Sequence, residues 1–217
     1  MLVRRSKKGI VGIEAAIVLI AFVIVAAALA FVVINMGMFT TQKSKEVMQQ
    51  GLNEATTALE VDGAVLGYVD TNTKVSYIYV PLKVSPGQLA VDFAKDKVDV
   101  VLKLPKGAFS KINNASGPVS NYMNKAVNLT ELQGLIDTSK GLPNATVVII
   151  QGDSDSVLEV GEKFMLVIGL PSVDGKDLRL SQYESFTIEI RPLQGAPLVV
   201  ERTIPPTLTA GQFVSLG

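Results

Sequence analysis

The chain has 217 residues, 20 basic and 20 acidic side chains and a formal charge of zero, with neither Cys nor His. Those two absences exclude disulfides, thiol nucleophiles, Ser–His–Asp triads and the usual His/Cys zinc sites. The charge balance excludes a generally basic surface for nucleic acid. No pair of carboxylates is spaced for glycosidase or aspartic-protease chemistry, so the expectation is no enzyme, no catalytic residue and no required cofactor. The length suits one core-forming domain with an appendage.

Four cations open the chain: Arg4, Arg5, Lys7 and Lys8, followed by Gly9 and Ile10. Beyond them only Glu14 is ionisable before a run of 20 uncharged residues, Ala15 to Ile34, with no Pro or Gly. At ~1.5 Å per residue such a helix crosses ~30 Å of hydrocarbon. It is apolar on every side, so it must be surrounded by lipid or by other protein. The basic residues hold their end in the cytoplasm and direct everything after the span outside. A secretory signal would place a small-residue cleavage site after the apolar core. Here the basic run ends at Gly9, before the core, and Glu14 is the fifth residue counted from Ile10.

That order resembles the class III, type IV pilin-like signal peptide. The stretch KKGIVGIEAAIVLIAFVIVAAALAFVVINMG is similar to the N-terminus of the archaeal flagellins, the archaellins. The resemblance implies that a prepilin-like leader peptidase cuts between Gly9 and Ile10 and leaves the helix on the mature protein. Residues 1–9 would then be a leader, and their loss would leave 16 basic against 20 acidic side chains, a charge of −4. It also implies that Glu14 pairs with the N-terminal amine of a neighbouring subunit. The competing reading keeps Glu14 hydrated at the membrane surface, since an unpaired charge inside the span costs ~3 kcal/mol.

Helix-forming residues continue past Asn35 without Pro, and Phe39, Val47, Leu52, Ala55 and Leu59 recur on an amphipathic pattern. The spacing predicts a helix over 10–62 that ends at Asp62–Gly63. The 52 residues from Ile10 to Val61 would span roughly 78 Å, more than twice a bilayer core. Gly37 and Gly51 each weaken such a helix by ~1 kcal/mol relative to Ala.

From Gly63 the periodicity changes to alternation. Val75–Val84, Leu89–Phe93, Val98–Leu104, Ala145–Gln151, Lys163–Leu170, Ser185–Arg191 and Leu198–Thr203 read as strands, with a turn at Pro86–Gly87 and a stop at Pro205–Pro206. Ser110–Asn124, rich in Asn and Ser, reads as a surface loop. Val127–Ile136 fits a short helix or a strand equally. The expected fold is α+β: one long N-terminal hydrophobic α-helix, then an antiparallel immunoglobulin-like β-sandwich over residues 63–217. There is no internal repeat and no low-complexity linker.

Three sequons, at Asn114, Asn128 and Asn144, face the outside in this topology and can accept N-glycans. The acidic stretch GDSDSVLEVGE admits two readings. Asp153, Asp155 and Glu159 offer oxygen ligands of the kind Ca²⁺ takes. Alternatively the Asp side chains cap backbone amides in an ordinary turn between strands.

A helix apolar all round, with Ala15, Ala16, Ala21, Ala26, Ala27, Ala28 and Ala30 allowing close approach, suits a bundle of identical copies. One heterologous contact repeated without closure gives a helical filament. The archaellin resemblance, which extends to VVIIQGDSDSVLEVGEKFMLVIGL and PLVVERTIPPTLTAGQFVSLG, implies a subunit of the extracellular archaellum filament. It would pass through the cytoplasmic membrane as a precursor, assemble with itself or other archaellins, and be turned by the archaellum motor and platform proteins. Two other readings stand beside it. An adhesive archaeal pilin shares the leader and helix. A signal-anchored extracellular binding domain predicts no cleavage and a conventional linker.

Overall fold

A computed structural model of the chain describes residues 8–56, 59–113, 117–139, 141–173 and 175–216. It divides into two units, Met1–Gly51 and Leu52–Gly217. The described residues of the first are helical. Helix α1 runs from Lys8 to Thr56, 49 residues, or about 73 Å. Thr40 and Thr41 satisfy their hydroxyls inside it by donating to the carbonyl oxygens of Met36 and Gly37, each at 2.8 Å.

The helix is shorter at its C-terminal end than the apolar spacing predicts. It stops at Thr56, and Leu59–Val61 forms a strand, β1. Apolar residues at 59 and 61 suit either period. The strand wins because the end of a long neighbouring strand offers ladder partners, and Leu59 becomes 6% exposed in the core. The β-rich part therefore begins at Leu59 rather than Gly63. Gly63, at φ +109°, serves the turn out of β1, a conformation that favours glycine.

The remaining strands are β2 (Leu66–Val69), β3 (Val75–Val84), β4 (Val91–Asp92), β5 (Val98–Leu104), β6 (Gly107–Phe109), β7 (Asn144–Gln151), β8 (Val157–Leu158), β9 (Lys163–Gly169), β10 (Ser172–Val173), β11 (Lys176–Asp177), β12 (Ser185–Pro192), β13 (Leu198–Thr203) and β14 (Phe213–Ser215). Two antiparallel sheets carry the architecture. One has the order β14-β2-β3-β9-β7, with β1 also on β3; the other has the order β13-β12-β5-β6. The pairs β4–β8 and β10–β11 stand apart.

Alternation places one face of each sheet on a shared core. Ile78, Val80, Leu82, Phe164, Leu166 and Ile168 of the larger sheet join Val100, Leu102, Phe186, Ile188, Ile190 and Val200 of the smaller in one buried cluster. Pro81 sits within β3, a strand paired on both sides, where a missing N–H would normally break the ladder. Its carbonyl accepts from Asp62 N at 2.9 Å. Its nitrogen faces that same side, at the gap where β1 has ended and β2 not yet begun.

The other face of the larger sheet is also buried. Residues 117–139 lie over it and form a second cluster with Tyr79, Val148 and Val167, into which Leu132 and Ile136 are pressed. A five-residue 3₁₀ helix, Glu131–Leu135, occupies the segment whose sequence fits helix or strand equally. The described parts of the Asn- and Ser-rich loop are thus tied into the fold: Ile112 is buried in the core between the sheets, and parallel bridges join Asn113 to Ala145 and Val119 to Val148.

Candidate assembly surface

Every described side chain from Gly12 to Gln49 is exposed. This 38-residue stretch is long and apolar enough to cross a membrane. Twenty large apolar side chains between Ile13 and Leu52 are exposed, among them Phe22 at 77% and Phe31 at 67%. Burying one such side chain is worth ~1.5–3 kcal/mol relative to water. Covering even half of this surface outweighs the stability of a typical domain, ~5–15 kcal/mol. The helix surface is therefore the dominant unsatisfied term in the molecule, and lipid or other apolar helices must cover it.

The surface has relief suited to helix packing. Glu14, Val18, Phe22 and Ala26 form one ridge and Ala15, Leu19 and Val23 the next, with a shallow groove between them. Ridges at four-residue spacing are the elements that interdigitate when helices cross. Glu14 stands at one end of this groove, exposed. No side chain within 4 Å would meet a Cβ added at Gly12, Gly37 or Gly51. The single chain has no steric need for glycine at these positions. Past Thr40 the helix turns polar, and Lys43 pairs with Glu46 at 2.7 Å; at this exposure the pair is worth at most ~1 kcal/mol.

Gly9 and Ile10 lie within α1, but their side-chain surroundings fall outside the described residues. The sequon at Asn114 falls outside them altogether. The other two differ in access. Asn128 and Thr130 are both exposed, and Asn128 Oδ1 accepts from Thr130 N at 3.1 Å in a local turn. Asn144 is half-buried at the start of β7, and its partner Thr146 is 2% exposed.

The acidic stretch does not gather its carboxylates. Asp153 Oδ1 accepts from Asp155 N at 3.0 Å, and Asp155 Oδ1 accepts from Val157 N at 2.8 Å. Glu162 accepts from Asp153 N and Glu159 N, each at 3.0 Å. Among the described residues no three acidic side chains are placed to hold a metal ion. The geometry is that of side chains capping turn amides. Asp153, Asp155 and Glu159 are not brought together as a ligand set.

Sequence reasoning missed an ionic clasp at the start of the β-rich unit. Asp62, read as a helix end, is held by Lys163 at 2.6 Å and Lys83 at 3.4 Å, which lower its pKa. No local signal reveals this, because the lysines come from two other strands.

The archaeal-type flagellin family profile matches residues 9–202. The chain is 52% identical over 213 residues to "Probable flagellin 1" of Aeropyrum pernix, covering 98% of this chain and all of that one. It is 31% identical to "Probable flagellin 2" of Archaeoglobus fulgidus, covering 97% and 96%. Among solved structures it is similar to the archaeal flagellum of Methanospirillum hungatei strain JF1, with 26% identity, a TM-score of 0.64, and coverage of 92% of this chain and 97% of that one.

Proposed function

We propose, from the premise that this chain belongs to the archaeal-type flagellin family and is a structural subunit of the archaellum filament, that α1 is its polymerising element and that residues 1–9 are a removable leader. The observation that carries this reading is the uninterrupted exposure of an apolar helix from Gly12 to Gln49. Lipid covers that surface in the precursor. Once cleavage between Gly9 and Ile10 removes Arg4, Arg5, Lys7 and Lys8, no cationic segment anchors the end in the cytoplasm. The helix can then exchange lipid for a bundle of like helices.

In this scheme Glu14 neutralises the new amine at Ile10 of a neighbouring copy, which relieves the cost of both charges in an apolar bundle. The β-rich unit faces the extracellular medium and carries a glycan at Asn128. The subunit performs no reaction; it transmits torque supplied by the motor and platform proteins at the filament base, and motility is the outcome.

The test is the N-terminal residue of protein recovered from sheared surface filaments. A start at Ile10 is expected. A start at Met1, with the protein confined to the membrane fraction, would sink the leader and the polymerising helix together.

A further inference from the structure

One exposed aromatic side chain is held where its own domain gains little from it. Tyr183 is 72% exposed and has φ +65°. That left-handed conformation is uncommon for any residue with a side chain and is unfavourable for a bulky one. The surrounding bonds enforce it. Tyr183 N donates to Ile204 O at 3.0 Å, Ile204 N donates to Glu184 O at 2.9 Å, and the Glu184 carboxylate accepts from Ser181 N at 2.7 Å. Glycine would suit this turn position better.

The same bonds bring the turn beside Pro205–Pro206, of which Pro206 is exposed. The turn thus presents an exposed Tyr ring, a side chain with only two rotatable bonds, on backbone bonded to the residue that precedes a rigid proline pair. Such a surface loses little conformational freedom when it is covered. Tyr is also among the residues that dominate interface energy.

We propose that Tyr183, exposed on this turn whose backbone is bonded to Ile204 ahead of Pro205–Pro206, anchors a contact between the β-rich units of neighbouring copies in the filament. A second copy of this chain is the occupant, because the neighbours of a filament subunit are subunits of the same kind. This contact is separate from the one made by α1. It is heterologous: Tyr183 meets a different surface on the next copy, as an unclosed helical array requires.

Substitution of Tyr183 by Gly tests the proposal, because the two effects have opposite sign. Glycine relaxes the turn, so full-length protein held in detergent micelles should melt at the same temperature as wild type or a few degrees higher. Filaments of the variant should come apart at lower temperature, and the yield of sheared filament should fall about tenfold, the effect of one lost anchor. Tyr183→Asn, which also tolerates positive φ, should behave in the same way, and Tyr183→Phe should assemble normally. Wild-type filament yield and stability in Y183G would overturn the proposal. A clear drop in the melting temperature of the unassembled variant would overturn it too, since the ring would then serve its own domain.

Discussion

The Tyr79 hydroxyl donates to the Leu129 carbonyl oxygen at 2.9 Å, and Gln133 Nε2 donates back to the same hydroxyl at 3.2 Å. This one side chain in the middle of β3 therefore fixes the segment that covers the outer face of the larger sheet. Tyr79 is fully buried, and burial pushes its phenol up to about 12. Tyr79→Phe would leave the Leu129 carbonyl without this donor. We expect a loss of about 1–2 kcal/mol, read as a fall of roughly 2–8 °C in the melting temperature. The sign of the alkaline effect follows from the raised pKa. The unfolded phenol ionises near pH ~10, before the folded one. Folding therefore loses stability as pH rises from ~10 toward ~12. The Tyr79→Phe variant should lack that part of the alkaline decline.

Gly169 makes room on the sheet for the same covering segment, at Ile136 and Thr138. A Cβ there would stand 2.7 Å from both Ile136 Cγ2 and Thr138 Cγ2. Gly169→Ala should lift the covering segment and cost about 1–3 kcal/mol. Faster proteolysis within residues 117–139 would report the lift, and unchanged digestion would argue that the segment gives way freely.

Asp177 is the centre of an ionic network. Arg179 binds it at 2.8 Å and also reaches Asp70, and Lys74 binds it at 2.6 Å. Arg179 first, and Lys74 with it, hold the Asp177 carboxyl well below the usual carboxylate range. A depressed folded pKa gives stability that is present above pH ~4 and is lost as pH falls below it. Asp177→Asn should cost about 1–2 kcal/mol at neutral pH and flatten the decline in stability below pH ~4, measured by denaturant titration across pH.

Access separates the two described sequons. Asn128→Gln should remove one glycan mass from the filament protein, whereas Asn144→Gln should change the mass only by the added methylene, because Thr146 is 2% exposed beside it. Intact-protein mass spectrometry of both variants distinguishes the outcomes. A glycan on Asn144 would mean attachment before β7 has paired.

The long elements were legible because each has a strong period. Val75–Val84 and Val98–Leu104 occur with the bounds that alternation predicts. Short strands were not legible. Leu66–Val69 contains Gly67, which weakens a strand because it has no side chain to pack, yet a Cβ there would lie 3.0 Å from Val75 Cγ1 and 3.2 Å from Leu216 Cδ1. The close fit at this glycine is set by Val75 on the next strand and by Leu216 at the far end of the chain. Phe213–Ser215 likewise becomes a strand only because β2 offers an edge. The assembly helix was readable from sequence because apolarity on every side needs no fold to reveal it. The acidic turn admits both readings in sequence, with amide capping the more ordinary one, since whether Asp153 and Asp155 point at an ion or at amides is a matter of three-dimensional geometry. Tyr183 gave no signal, because a positive φ is invisible in sequence when the residue is neither Gly nor Asn.

The proposed burial of α1 against other copies in the filament is open to a direct test. The chain has no cysteine, so a single Val25→Cys substitution reports on one place alone. Val25 is 58% exposed in the single chain, and the side chain of Lys103, on β5, is 55% exposed and serves as the control position in a parallel Lys103→Cys variant. With a water-soluble maleimide, intact isolated filaments of Val25→Cys should stay unmodified while those of Lys103→Cys react, and the Val25→Cys thiol should react once its filaments are dissociated. Equal labelling of the two variants in intact filaments would show that α1 is not buried there.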